Sequence, residues 1–419
     1  MKKITSFDDC YAYRDPIDPT IQFLYRPYSI TVLVLTCAGL LLSALYSPLS
    51  NPPSMAVGLL RGLGVAALVF LFVGLMFLGG KGPFIRPHPA IWRLVLSLSV
   101  LYLMALVTVL FLSLDQARQL LRYIDESLGQ ELPEKSYAED CSFTWTAIRP
   151  QLDIFVVAHL VGWYVRALIL RDEWICWIVS VMFEACEYSL QHQLPNFAEC
   201  WWDHWLLDVF GCNWLGIWLG MRTCAYLSMQ PYRWRSVMDI PDLSGKLGRT
   251  IAQFTPHSWQ SFDWATTRTF KGYLVSLLMV AFCLLSDLNA FYLKYLLWIP
   301  PPHPFNLLRL ILHALMAAPA VREVYQYFTD PQCKRLGAHA WTCMAVICTE
   351  TIICLKFARG QFTAPWPRVV IYAWSIGLMF LIIFPFVKFY LYPRISANAA
   401  VVVKKKKGTR NKRSNVKSE

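Results

Sequence analysis

Charge is scarce in this chain: 16% of its 419 residues are Asp, Glu, Lys or Arg, and 56% are hydrophobic. Soluble domains carry about a quarter charged residues, so a soluble globular protein is excluded and a polytopic membrane protein is expected. Paired cysteine spacing is also missing. The thirteen cysteines contain no C-x-x-C and fall mostly within apolar runs, which reads as small core residues rather than zinc ligands or a disulfide framework. The opening M-K-K-I-T-S-F-D-D-C lacks the apolar centre of a cleavable signal, so the first span is expected to serve as its own targeting signal. Neither an internal repeat nor a soluble module is visible. The net charge of +12 resides in connecting loops and in the run from Lys404 to Arg413. That pattern suits anionic headgroups and leaves nothing folded to read nucleic acid.

What is present is a series of apolar runs long enough to cross ~30 Å of hydrocarbon. They cover Ile30–Leu49, Ala56–Gly79, Ile91–Leu112, Leu152–Leu170, Trp174–Leu190, Trp201–Met221, Gly272–Leu288, Phe305–Val321, Ala340–Leu355 and Val369–Tyr390. The expected fold is therefore all-α with about ten transmembrane helices. Asp115–Ile124 has a polar face and reads as an interfacial helix, and Phe291–Ile299 as an interfacial extension closed by three prolines. The organisation is a cytosolic segment 1–29, a multi-span catalytic domain 30–392 and a basic cytosolic tail 393–419. Loop charges place both termini in the cytosol and Gln191–Cys200 on the opposite, lumenal side. Lys356, Arg359 and Arg368 break that pattern.

One window stands apart. Phe183–Gly220 carries Glu184, Glu187, Glu199, Asp203 and Asp208, with Asn196 and Asn213, and no Lys or Arg. Ionisable groups inside spans are costly and mark function. Uncompensated carboxylates repel one another, and Ca²⁺, which takes six to eight oxygen ligands, is the simplest remedy. The expected metal set is Glu184, Glu187, Asp203 and Asp208. At 1.5 Å per residue, His159 enters the membrane to ~10 Å from the lumenal side, about the depth of Asp208. Three spans thus bring polar groups to one lumenal-side intramembrane pocket. His159 there is the candidate general base. His204, flanked by tryptophans, reads as peripheral. Solvated helix ends are the bland account of Glu199 and Asp203, and an interhelical hydrogen bond that of Asn213. Gly216 and Gly220 form a G-x-x-x-G packing face. Asp287 and Glu350 have no evident partners.

The string P-N-F-A-E-C-W-W-D, then L-D, C-N and G-I-W-L-G-M over Pro195–Met221, closely resembles the eukaryotic base-exchange phosphatidylserine synthases. The likeness continues in Gly82–Arg93, Gln253–Trp259, Leu288–Lys294 and Thr329–Gly337. The resemblance implies a Ca²⁺-dependent enzyme of the endoplasmic reticulum that replaces the headgroup of a phospholipid with L-serine. The donor it implies is phosphatidylethanolamine or phosphatidylcholine, with a weak lean to ethanolamine, and a homodimer is left open. The family's essential polar residues fall on His159, Glu184, Glu187, Asn196, Glu199, Asp203, Asp208 and Asn213. Catalysis is expected from His159, Glu184, Glu187 and Asp208, and substrate binding from Asn196, Glu199, Asp203 and Asn213. Product feedback is a family trait, for which Arg86 is a candidate sensor or else an orientation-setting charge. Two rivals are a Ca²⁺-bound lipid scramblase or cation pathway, and a CDP-alcohol phosphotransferase, whose D-G-x-x-A-R signature is absent.

Overall fold

The computed structural model describes residues 87–132, 140–149, 154–228, 237–254 and 262–394, with scattered positions between 60 and 152. Among the described residues every regular element is helical. They are α1 (Pro89–Leu110), α2 (Leu114–Ile124), the short α3 (Trp145–Ile148), α4 (Ile154–Leu170) and α5 (Glu173–Leu190). After a 3₁₀ turn at Pro195–Phe197 and a π-helical stretch, Asp203–Asn213, come α6 (Trp214–Ser228) and α7 (Leu243–Phe254). The chain ends in α8 (Phe270–Leu296), α9 (Pro304–Thr329), α10 (Ala338–Phe357) and α11 (Arg368–Pro385). The expected spans 30–49 and 56–79, apart from scattered positions of the second, lie outside the described residues, as do Arg86 and the tail beyond 394.

Sequence sets the starts of these helices. The His88 side chain accepts from the Ala90 N–H with Pro89 in the first turn, and Ser113 and Gln116 form a reciprocal capping box. Asp172 accepts from Ile175 N–H, and Thr269 from Gly272 N–H. Among the described residues five helices are long and apolar enough to cross a membrane: α1, α8, α9, α10 and the run Arg368–Arg394, with Val156–Leu170 a shorter apolar helix. The ten-span expectation is therefore met only in part. In α5, Glu173, Glu184 and Glu187 dilute the apolar run, and α6 is only 15 residues long. The run from Phe291 does extend the preceding span, as helix up to Leu296. Helix α8 continues unbroken to Leu296, 27 residues in all, because nothing between Leu288 and Leu296 breaks a helix.

Pairing fixes relative directions. Helices α4 and α6 run parallel in close contact. A Cβ on Gly216 would sit 2.6 Å from the Leu160 carbonyl, and one on Gly220 2.6 Å from Ala167 Cβ. The G-x-x-x-G reading holds, since only glycine lets the two backbones approach this far. Helix α5 and the turn after it pack against α8: Phe183 meets Phe291 at 5.8 Å, and Tyr292 donates to Gln193 Oε1 at 2.8 Å. At the end of α10, Lys356 Nζ donates to the carbonyls of Leu110 (2.7 Å) and Leu112 (2.6 Å). That explains one of the charges that broke the loop pattern: Lys356 caps the C-terminus of α1.

Two sequence expectations about partners are corrected here. Cys141 and Cys200 form a disulfide across 59 residues of sequence. Among the described residues six of eight free cysteines, Cys176, Cys186, Cys212, Cys224, Cys343 and Cys354, are buried, as core residues should be. Asp287 and Glu350 both have partners. Arg166 Nη2 binds Asp287 Oδ1 at 2.6 Å, and Glu350 takes Arg309 (2.5 and 2.9 Å) and the Tyr102 hydroxyl (2.6 Å). Buried charges of this kind are tolerated when paired and hydrogen-bonded.

Candidate active site

The site is assembled where α4, α5 and the π-helical stretch meet. His159, two turns into α4, places Nδ1 2.9 Å from Asp208 Oδ1. The imidazole side chain keeps 45% of its surface while the carboxylate keeps 7%, so a buried acid orients a ring that remains open to a reactant. Behind this pair lie Glu184 and Glu187, three apart on α5 and both buried.

Between them sits His204. Its Nδ1 lies 2.8 Å from Glu184 Oε2, 3.4 Å from Glu187 Oε2 and 3.9 Å from Glu199 Oε2. The ring is wholly buried, packs 4.3 Å from the Tyr188 ring, and leaves Nε2 without a hydrogen-bond partner. The peripheral reading of His204 is thus overturned: the tryptophans mark a chain that turns inward just after the interface. Glu184, Glu187 and His204 can offer ligand atoms that all lie within 4.8 Å of one another. Glu199, in the link before the π-helical stretch, joins them at the rim. Burial, reinforced by the charges of Glu187 and Asp208, pushes its carboxyl up to about 9. This is an environment short of positive charge, so the residues fit a bound divalent cation.

The π-helical geometry determines which residues face inward. In an α-helix, residues five apart are turned about 140° from each other. With i→i+5 hydrogen bonding that angle narrows enough for them to share one face. Asp203, Asp208 and Asn213 are five apart, and all three are buried. Asn213 Nδ2 donates to Ser180 Oγ of α5 at 2.9 Å, the interhelical bond expected, while its Oδ1 stays unpartnered in the interior. Asn196 lies in the 3₁₀ turn at Pro195–Phe197, its side chain outside the described residues.

The Cys141–Cys200 bridge fastens the 140–144 loop next to Glu199. Phe143 packs on Trp201 and Trp202 at ring distances of 6.0 and 6.5 Å, immediately after Glu199. Of the sequence-derived set, the structure brings His159 to Asp208, and Glu184 and Glu187 to Glu199 through His204. It places Asp203 and Asn213 on the buried face of the same π-helical turn. Sequence reasoning set His204 aside as peripheral, although it and His192 are the only side chains in Phe183–Gly220 able to carry positive charge, and that was the available signal.

The profile described as Phosphatidyl serine synthase matches residues 87–358. The chain belongs to this family. It is 39% identical over 412 residues to Phosphatidylserine synthase 2 of Danio rerio, covering 96% of this chain and 88% of that one. Phosphatidylserine synthase 1 of the same organism is 38% identical over 369 residues, covering 87% and 78%. A rice (Oryza sativa subsp. japonica) protein named CDP-diacylglycerol--serine O-phosphatidyltransferase 2 is 37% identical over 381 residues, covering 88% and 89%.

Proposed function

We propose that this phosphatidylserine synthase works by base exchange: L-serine replaces the ethanolamine or choline headgroup of an existing phospholipid, at a Ca²⁺-binding site within the membrane of the endoplasmic reticulum. The observation that carries the reading is the juxtaposition of the His159–Asp208 pair with the Glu184–Glu187–His204 cluster. His159 takes the proton of the serine hydroxyl as that oxygen attacks phosphorus. The P–O bond to the amino alcohol breaks, and the departing oxygen recovers the proton from His159. Asp208 keeps the ring oriented throughout; we assign it to this task in preference to anchoring the metal. The carboxylates of Glu184 and Glu187, with Glu199 and Asp203 beside them, would hold the cation, and His204 would position them through its Nδ1 contacts. Bound there, Ca²⁺ supplies positive charge against the oxygens of the phosphodiester. Carboxylates left over from the metal bind the serine ammonium. One phosphodiester replaces another, so no nucleotide is consumed.

The disulfide supports a lumenal position for the site entrance, because such bonds persist in oxidising compartments. The rice relative's name carries a second reading, in which CDP-diacylglycerol is the donor. Labelled serine added to the purified protein in defined liposomes, without CTP or CDP-diacylglycerol, decides between them. Incorporation matched by equimolar ethanolamine or choline release is expected. Incorporation only with CDP-diacylglycerol would establish the nucleotide route, and lipid movement without new lipid a scramblase. The product-sensing role of Arg86 belongs to the same reading.

A further inference from the structure

Both partners of the proposed exchange bring a cationic end: the ammonium of serine, and the ethanolammonium or trimethylammonium of the donor headgroup. A subsite for such a group must offer it acceptors or aromatic faces. Tyr188 of α5 puts both at the acid cluster. It stands one turn beyond Glu184, on the same face of the helix. Its ring packs 4.3 Å from that of His204, and the charges of Glu184, Glu187 and Glu199 all act on its hydroxyl. Tyr188 is thus at the cluster both by contact and by field.

The neighbours of the ring decide what it can hold. The Trp205 side chain is within hydrogen-bonding reach of the Tyr188 hydroxyl. An indole N–H can only donate, so Trp205 engages the phenol oxygen and leaves it a lone pair to accept with. His204 is wholly buried, whereas Tyr188 is half-buried and Trp205 is 37% exposed. The Tyr188–Trp205 pair is therefore an open edge of a cluster whose interior is closed. A trimethylammonium has no N–H to give and is best held by several aromatic faces at once. With His204 packed against it, the Tyr188 ring has at most one face to offer. A primary ammonium needs acceptors instead, and here it meets the phenol oxygen beside carboxylates.

We propose that Tyr188, held by Trp205, receives the ammonium end of an amino alcohol through its hydroxyl, as a subsite for an N–H-bearing ammonium and not for a trimethylammonium. The cation is that of the donor headgroup or that of serine. The proposal rests on the exchange reading, and wild-type protein that incorporates serine without releasing an amino alcohol would remove that reading before Tyr188 is tested. The experiment compares wild type, Tyr188→Phe and Trp205→Phe in proteoliposomes. The donor is phosphatidylethanolamine, its N-methyl or N,N-dimethyl derivative, or phosphatidylcholine. Serine is varied with each donor, and melting temperature is followed with and without Ca²⁺. Phenylalanine at 188 keeps the ring and removes only the oxygen.

If the headgroup is the ligand, wild type loses kcat/KM with each added methyl, and Tyr188→Phe flattens the series. The ethanolamine donor then falls about tenfold to a hundredfold, the range of a hydrogen bond to a charged group, while the choline donor is unchanged. If serine is the ligand, Tyr188→Phe raises KM for serine by a similar factor with every donor and leaves the donor series as it was. Inhibition by N,N,N-trimethylserine, which has no N–H to give, should then not move. Either result supports the subsite, and Trp205→Phe should shift the same parameter by a smaller factor, since the oxygen stays but is no longer engaged. A donor series and a serine KM both unchanged in Tyr188→Phe would overturn it. An equal fall in kcat with all donors, joined to a lowered melting temperature, would also overturn it and mark Tyr188 as packing for His204.

Discussion

The two histidines of the site have opposite surroundings, and that difference sets their expected phenotypes. His159 has one carboxylate partner and an open face; His204 is enclosed by three carboxylates and a tyrosine ring. Replacing His159 with alanine removes the proposed base. Exchange should fall by about 10²–10⁴-fold, with the Ca²⁺ concentration for half-maximal thermal stabilisation unchanged. His204→Gln should do the reverse. The midpoint for Ca²⁺ rises about tenfold to a hundredfold, the usual cost of disturbing groups that hold a metal site, and activity recovers when Ca²⁺ is raised. Calcium titrations of melting temperature on both variants, set beside exchange rates, separate the roles. Equal loss of affinity in both would place His159 among the cation's ligands and refute its assignment as base.

At the scale of elements, the site depends on a helix that departs from ordinary pitch and on a loop bonded beside it. The common depth of His159 and Asp208 was legible, because apolar span limits fix depth even when span count does not. The five-residue spacing of Asp203, Asp208 and Asn213 was visible, but its alignment was not: that needs the π-helical turn, which leaves no periodic apolar signature. The disulfide was equally hidden, since Cys141 and Cys200 lie 59 residues apart with no spacing motif. Its consequence is testable. Cys200→Ser, or reduction of the wild type, should lower stability by about 2–4 kcal/mol. It should also reduce exchange, because Glu199 and Asp203 flank the released chain. Melting curves and exchange assays with and without reductant check both effects. Reductant-sensitive melting with unaltered exchange would confine the bridge to scaffolding. The Cys141→Ser variant should match Cys200→Ser in each assay, because either loses the same covalent link.

Across the whole molecule, interior ionic networks hold the helices that the site leans on. Glu350 of α10 binds Arg309 of α9 and Tyr102 of α1. Nearby, Asn289 of α8 donates to the Ile347 carbonyl at 3.0 Å and Thr351 Oγ1 at 3.1 Å. Four helices therefore meet at one buried acid. These partners were not legible in sequence. Arg309 and Tyr102 lie 41 and 248 residues from Glu350, and only tertiary packing joins them. Outside the candidate site, Asp287 and Glu350 are tied to arginines, whereas the carboxylates of Glu184, Glu187 and Glu199 share a single imidazole. This contrast predicts opposite responses to neutralisation. Glu350→Gln strands Arg309 in the interior, and breaking one side of a buried pair costs about 3–5 kcal/mol. Melting temperature should drop sharply whether or not Ca²⁺ is present. Glu187→Gln removes a repelling charge, so the Ca²⁺-free protein should melt no lower than wild type, while its stabilisation by added Ca²⁺ shrinks. A double substitution of Arg309 and Glu350 by methionine should recover much of the stability lost in Glu350→Gln, since no uncompensated charge remains. Thermal melting of the four proteins, with and without Ca²⁺, tests the division. Were Glu187→Gln to destabilise the Ca²⁺-free protein as severely as Glu350→Gln, the acid cluster would be a structural network like the one around Glu350, and the argument for a cation among its carboxylates would fail.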